Sequence, residues 1–178
     1  MVDKILSYVS VFRQPKSCFL MKNIYLDNAA GAPIDTKVHK EIRRGMKIWG
    51  NPSSFNDAGR TAARELNKAR LKIARFLGAH QEEIIFTGSG SESNNMAIAG
   101  VTRFSPKKIN EIVTTSIEHL SVLEPVEILK SKGFKPAFLK VDASGLIDLR
   151  NLVSKINSKT LLVSIMYANN EIGTIEPI

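Results

Sequence analysis

From residue 83 onward, strand-sized apolar segments alternate with longer segments of helical spacing, and this alternation constrains the fold more than any other feature of the sequence. Regular alternation of this kind is typical of α/β proteins, in which helices cover both faces of a mostly parallel sheet. We therefore predict an α/β fold. The predicted strands are residues 83–87, 111–115, 136–141 and 160–167, and the predicted helices are residues 91–102, 119–131 and 148–156.

Residues 21–80 are predicted to form an N-terminal helical segment ahead of the sheet. A short strand at residues 24–26 leads into a turn, after which Asp35 or Thr36 can cap a helix that runs to about Trp49. Residues 57–79 have the spacing of an amphipathic helix with a basic outer face. Its predicted core face consists of Ala62, Leu66, Ala69, Ile73, Phe76 and Leu77. We interpret residues 1–20 as an N-terminal extension or a misassigned start, since Met21 directly precedes the ordered pattern.

The net charge of +8 is concentrated at the N-terminal end. Residues 1–80 carry 15 Lys and Arg against 6 Asp and Glu, whereas residues 81–178 carry 10 against 11. Much of the excess lies on the outer face of the helix predicted at residues 57–79, where a solvated face is favoured over a nucleic-acid site because no nucleic-acid motif accompanies it. The apolar runs, such as residues 161–168, are strand-sized. We expect neither a nucleic-acid nor a membrane partner.

Cysteine and histidine usage argues against disulfides and zinc fingers. The single cysteine, Cys18, excludes an intramolecular disulfide. With only His39, His80 and His119 beside it, a zinc site of the finger type is not expected. A chain of this kind is typical of a reducing compartment, so we expect a cytoplasmic protein with no metal ligands.

Three predicted strand ends carry chemically capable residues, and sites in open α/β sheets gather at such ends. Residues 86–95 run through a Gly/Ser turn into a helix, which is either a phosphate cradle or a well-capped helix start. His119 follows the next strand, although a lone histidine is more often structural than catalytic. Asn169 and Asn170 follow the strand at residues 160–167, where they can simply form a turn. Each signal alone is weak.

Six short motifs follow one another between residues 24 and 178. They are Tyr25–Ala30 (YLDNAA), Gly50–Ser54 (GNPSS) with Gly59 and Arg60, Phe86–Asn95 (FTGSGSESNN), Glu118 with His119, Gly145–Asp148 (GLID), and Val163–Met166 (VSIM) with Asn169–Gly173 (NNEIG). In this order the motifs make the chain resemble the cysteine desulfurases of the NifS and IscS type, which belong to the class V aminotransferases and depend on pyridoxal 5′-phosphate. The resemblance implies the type I aminotransferase fold, with residues 81–178 as the first, incomplete part of the large cofactor-binding domain.

The resemblance also implies roles for individual residues. Gly90 and Ser91 match the positions whose backbone and hydroxyl bind the cofactor phosphate. His119 matches the histidine that stacks on the pyridine ring and takes part in proton transfer. Asn170 matches the asparagine that reaches the ring hydroxyl of the cofactor. The expected catalytic residue is therefore His119, and the expected cofactor-binding residues are Gly90, Ser91, His119 and Asn170.

The implied function is that of the N-terminal part of a cysteine desulfurase. Such an enzyme converts L-cysteine to L-alanine and passes the sulfur, as an enzyme persulfide, to an acceptor or scaffold protein for iron–sulfur cluster or thio-cofactor assembly, and it forms a homodimer. In the family, the aspartate that pairs with the pyridine nitrogen, the Schiff-base lysine and the nucleophilic cysteine follow the region that ends here at Ile178, and Cys18 does not match that cysteine. We therefore expect residues 1–178 alone to be inactive.

Two alternatives stay open at this stage. The chain could belong to another type I pyridoxal-phosphate lyase, such as a selenocysteine lyase. It could instead be a noncatalytic remnant that acts as a binding or dimerisation module through the basic helix at residues 57–79.

Overall fold

The computed structural model describes residues 24–178, and these divide into two units between Ile34 and Asp35. The expectations for residues 1–20, including Cys18 and the alternative start at Met21, lie outside the described residues. Residues 24–34 contain a turn at residues 28–30. In the second unit the helices are α1 (Thr36–Gly45), α2 (Asp57–Leu77), α3 (Gly90–Arg103), α4 (Leu120–Lys130) and α5 (Leu149–Lys155), and the strands are β1 (Glu111–Thr115), β2 (Lys135–Leu139) and β3 (Thr160–Ser164).

The three strands form one parallel sheet with the order β2-β1-β3. Val113 in the middle of β1 pairs with Ala137 on one side and Val163 on the other. From Ile112 to Thr115, every residue of β1 is buried, as expected for a central strand covered on both faces. The predicted parallel sheet is thereby confirmed.

Helices cover both faces of this sheet because successive residues of a strand point to opposite sides. Ile112 of β1 packs with α3 and α4 in one core cluster, whereas Val113 packs with α5 in the other. The first cluster contains Ile98, Ile112, Val122, Val126 and Leu129, and the second contains Val113, Leu139, Ile147 and Leu152. The sheet therefore holds the starts of α3 and α4 and the end of β3 in fixed places.

Two strand predictions are wrong. Residues 24–26 and 83–87 form no strand in the described part of the chain, and a 3₁₀ helix occupies Gln81–Glu83 instead. Their apolar residues suggested burial, but Ile85 is 66% exposed. The strand predicted at residues 160–167 is observed as β3, which already ends at Ser164. It is shorter because the Met166 N–H donates to the Glu118 carboxylate instead of a neighbouring strand.

The predicted core face of α2 is mostly exposed. Ala62 is buried as predicted, but Ile73 is 40% exposed and Phe76 is 89% exposed, while Ala74 is buried without having been predicted. The reason is that α2 packs mainly against the Gln81–Glu83 turn within the described residues, and this contact covers only a narrow part of the helix. Among residues 24–178, no helix is both long and apolar enough to cross a membrane.

Candidate active site

The loop before α3 is held in place by its own side chains. Ser89 is the N-cap, and its hydroxyl accepts the Glu92 N–H at 3.1 Å. The Glu92 carboxylate turns back to accept the Gly88 N–H at 2.6 Å, and the hydroxyls of Thr87 and Ser93 are 2.6 Å apart. The well-capped helix start weighed from the sequence is therefore present, with Ser89 as its cap.

The first turn of α3 also presents hydrogen-bond donors to the surroundings. Within residues 24–178, the N–H groups of Gly90 and Ser91 and the Ser91 hydroxyl have no hydrogen-bond partner. Both residues are exposed, and a Cβ built on Gly90 would meet no atom within 4 Å. Free N–H groups at a helix N-terminus favour anions. The Glu92 carboxylate occupies the Gly88 N–H, so an anion would be confined to the side of Gly90 and Ser91.

His119 is the N-cap of α4. Its Nδ1 accepts the Ser121 N–H at 3.0 Å and lies 2.8 Å from the Ser121 hydroxyl oxygen. That hydroxyl accepts a hydrogen bond from Nδ2 of Asn94, one turn after Ser91 on α3, at 2.8 Å. Because Nδ1 is an acceptor, the neutral ring carries its proton on Nε2. The contact also brings the start of α4 against α3.

The loop after β3 is organised by Asn169 rather than Asn170. Asn169 is only 8% exposed, and its Oδ1 accepts the N–H groups of Glu171 at 2.8 Å and Ile172 at 3.1 Å. Nδ2 of Asn169 donates to the Ile117 carbonyl oxygen at 3.1 Å, which ties this loop to the turn before His119. Asn170 is exposed, and its Nδ2 donates to the Glu171 carboxylate at 3.0 Å.

Glu118 and Glu176 are two buried carboxylates to which the sequence assigned no role, although Glu118 belongs to one of the six motifs. Glu118 is 7% exposed, and its Oε1 accepts the Thr115 hydroxyl at 3.0 Å and the Met166 N–H at 2.7 Å. Burial, and secondarily the nearby Glu176 charge, raises the pKa of Glu118 above its ordinary value. Glu176 is 2% exposed and accepts the Ile147 N–H at 3.2 Å. The available signal was the position of Glu118 directly before His119.

The structure thus brings the start of α3, the turn after β1 and the loop after β3 into contact through neighbours of the predicted residues. Asn94 links the helix of Ser91 to His119, and Asn169 links the loop of Asn170 to the turn of His119. No direct bond joins Ser91, His119 and Asn170 in the described residues. The same residues contain no cluster of three or more His, Cys, Asp and Glu side chains arranged to hold a metal ion.

A separate groove of about 560 Å³ lies between α3 and α4. Its lining is mostly apolar and includes Ile98, Pro125, Ile128, Leu129 and Phe134. Gly90, Ser91, His119 and Asn170 do not line this groove, but Ser121, which contacts His119, lies on its wall.

Comparison with known families identifies the wider group. The family model described as aminotransferase class-V matches residues 24–178. The chain belongs to the aminotransferase class V family. All three segments of the candidate site lie within the matched residues of this class V aminotransferase chain, and the family predicted from the motifs is confirmed.

Relatives of this class V aminotransferase chain narrow the comparison. The cysteine desulfurase IscS of Dictyoglomus turgidum is 44% identical over 160 residues, which cover 89% of this chain and 41% of that protein. A solved NifS-like protein superposes with a TM-score of 0.78 at 40% identity, covering 84% of this chain and 41% of its own. A structure titled SspA in complex with cysteine has a TM-score of 0.77 at 37% identity, with coverages of 86% and 44%. The chain therefore spans about two fifths of these relatives, and the predicted fold class is confirmed.

Proposed function

We propose that the protein containing this chain is a cysteine desulfurase that depends on pyridoxal 5′-phosphate. One L-cysteine and one enzyme thiol would yield one L-alanine and one enzyme persulfide, whose sulfur serves iron–sulfur cluster or thio-cofactor assembly. The observation that carries the proposal is the 44% identity to a cysteine desulfurase over 89% of the chain. The bound cysteine named in the SspA title supports the choice of substrate.

The start of α3 fits the phosphate of this cofactor. The two free N–H groups of Gly90 and Ser91, with the Ser91 hydroxyl, form a donor set suited to a phosphate dianion at the N-terminus of a 14-residue helix. Within the part of the chain that the structure describes, no atom lies within 4 Å of a Cβ built on Gly90. When bound, pyridoxal phosphate supplies an electron sink for the negative charge that develops at the Cα of the amino acid.

The remaining residues of the chain would orient groups and move a proton. His119 has its Nδ1 engaged by Ser121, so Nε2 is the nitrogen available to donate or take a proton toward the substrate. Asn94 orients the Ser121 hydroxyl and thereby holds the imidazole. Asn170, which is exposed in the loop after β3, would donate from its amide to the ring hydroxyl of the cofactor.

We further propose that the full-length protein acts in the cytoplasm as a homodimer and delivers sulfur to an acceptor or scaffold protein. Residues 81–178 would then form the first part of the cofactor-binding domain. These statements rest on the family and on the composition of the chain.

The test uses the full-length protein supplied with pyridoxal phosphate and L-cysteine. We expect visible absorbance from the bound cofactor, stoichiometric release of alanine, and sulfur bound to the protein that cyanide converts to thiocyanate. A selenocysteine lyase would instead act on L-selenocysteine and leave L-cysteine unchanged. A noncatalytic module would neither bind the cofactor nor release alanine, and that result would refute the proposal.

A further inference from the structure

The loop at residues 166–176 is joined to the turn at residues 115–119 by two reciprocal hydrogen bonds. From the loop, Asn169 Nδ2 donates to the Ile117 carbonyl oxygen at 3.1 Å. From the turn, Glu118 Oε1 accepts the Met166 N–H at 2.7 Å. We call these two bonds the clamp. Each segment thus sends one side chain onto the backbone of the other.

Both side chains of the clamp are buried. Asn169 is 8% exposed and Glu118 is 7% exposed, so water competes little for their bonds. A buried polar group that loses its partner incurs the cost of its desolvation. The position of the loop relative to the turn is therefore strongly specified. The side chain of Asn170, in contrast, is exposed.

The far side of the loop is anchored as well. The Thr174 hydroxyl donates to the Ser144 carbonyl oxygen at 2.6 Å, and the carboxylate of Glu176 accepts the Ile147 N–H at 3.2 Å. Gly145 has a φ of +83°, and a Cβ there would press on the Ile172 side chain. The loop is thus fixed at its base, and the clamp decides where its tip lies relative to the turn before His119.

We infer that Asn169 is a positioning residue, which holds the adjacent Asn170 against the turn that carries His119 so that both side chains act on the same bound molecule. The inference rests on the proposed function for the role of these two residues. The clamp itself rests only on the contacts described above. Asn169 is adjacent to Asn170, and Ile117 is two residues before His119, so a shift of either segment moves a candidate site residue.

The two functions of Asn169 use different atoms and can be separated. Oδ1 closes its own loop on Glu171 and Ile172, whereas Nδ2 makes the bond to Ile117 and also donates to the Met166 sulfur at 3.2 Å. Asn169→Asp retains an oxygen for the loop but replaces the clamp donor by an oxygen that faces a carbonyl oxygen. The substitution therefore breaks one bond of the clamp with little change in side-chain volume.

Asn157 offers a matched control at the other end of the sheet. Its Oδ1 accepts the Lys159 N–H at 2.8 Å, and its Nδ2 donates to the Glu111 carboxylate at 2.8 Å. Asn157→Asp thus makes the same chemical change beside another oxygen acceptor. Asn157 lies away from every candidate site residue, next to the first residue of β1.

The experiment compares both variants with the wild type as full-length proteins at pH 8. Hydrogen exchange without cofactor should be about tenfold faster at the Met166 amide in Asn169→Asp, while the amides of Glu171 and Ile172 stay protected. With cofactor and L-cysteine, kcat for alanine release should fall about 10- to 100-fold, with a smaller change in KM, as expected when reacting groups are misplaced. Asn157→Asp should leave both measurements as in the wild type.

Four outcomes decide the matter. Met166 exchange that is unchanged in Asn169→Asp would overturn the clamp, and faster exchange with unchanged kcat would overturn the positioning role. Equal losses of kcat in the two variants would show a general stability effect and also overturn it. Glu118→Ala removes the other bond of the clamp without adding a charge, and it should repeat the pattern if Asn169→Asp fails to fold. A wild type that releases no alanine would refute the proposed function, while the exchange result would still test the clamp.

Discussion

Two substitutions at His119 separate its capping role from its proposed role in proton transfer. In His119→Asn, the side-chain oxygen can still accept the Ser121 N–H, which Nδ1 accepts at 3.0 Å in the wild type, but the imidazole is lost. In His119→Ala, both the cap and the imidazole are lost. Asparagine is among the best N-cap residues, so His119→Asn should fold as stably as the wild type.

The expected magnitudes differ for the two roles. Loss of one N-cap lowers the free energy of unfolding by about 1 kcal/mol, and because the shift in Tm shrinks with chain length, Tm of the full-length protein should fall by about 2 °C or less. Loss of a general acid–base group lowers turnover by about 10² to 10⁴-fold. We therefore expect His119→Ala to lose both stability and turnover, and His119→Asn to lose turnover alone.

Asp148 provides the control because it caps α5 with the same spacing. Its carboxylate accepts the Arg150 N–H at 2.8 Å, two residues along, as His119 accepts from Ser121. Asp148→Ala should lower Tm by a similar amount and leave alanine release per folded molecule unchanged. The assay measures Tm and alanine release side by side in the full-length protein. A His119→Asn variant that releases alanine at the wild-type rate would refute the proton-transfer role.

Three further predictions concern phosphate binding, pH dependence and the core. Ser91→Ala should weaken binding of pyridoxal phosphate by about 1 to 2 kcal/mol in an equilibrium titration, with little change in Tm. The control Ser89→Ala should mainly lower Tm, because Ser89 is the N-cap. Equal cofactor affinity in Ser91→Ala and the wild type would contradict the assignment of these residues to the cofactor phosphate. Burial raises the pKa of Glu118 in the folded state, so its contribution to the free energy of unfolding is present below the unfolded pKa near 4.5 and is lost as pH rises through the folded pKa. Glu118→Gln should reduce the change in the free energy of unfolding with pH over this range, measured by urea unfolding. An unchanged pH dependence would contradict the raised pKa of Glu118. Val126→Ala, at a fully buried position, should lower the free energy of unfolding by about 2 kcal/mol, while Val153→Ala, at a position 67% exposed, should change it by less than about 0.5 kcal/mol; similar losses in both would refute the assignment of the core.

Much of the sheet and its helices could be predicted because the signals are local. The apolar run at β1 and the capping positions before α3, α4 and α5 are properties of short segments. The bounds of β1 in the structure equal the predicted ones, and those of the three helices differ from prediction by one residue at each end. The strand at residues 83–87 failed because a strand requires a neighbour, which its own sequence cannot reveal. The predicted buried face of α2 is wrong for the same reason, since periodicity shows which face of a helix is apolar but not what covers it.

Some features of the candidate site are likewise determined by the sequence, and others only by the tertiary structure. The sequence by itself determined the residue types of the three site segments, the Gly/Ser turn before α3 and the family, because these are read from ordered motifs along the chain. Only the tertiary structure decided that Asn169, rather than Asn170, holds the loop, and that Glu118 is buried against Met166, 48 residues away in the sequence. Hydrogen bonds between distant segments depend on the packing of the sheet and on the exclusion of water, and neither is encoded in the local pattern that surrounds either residue.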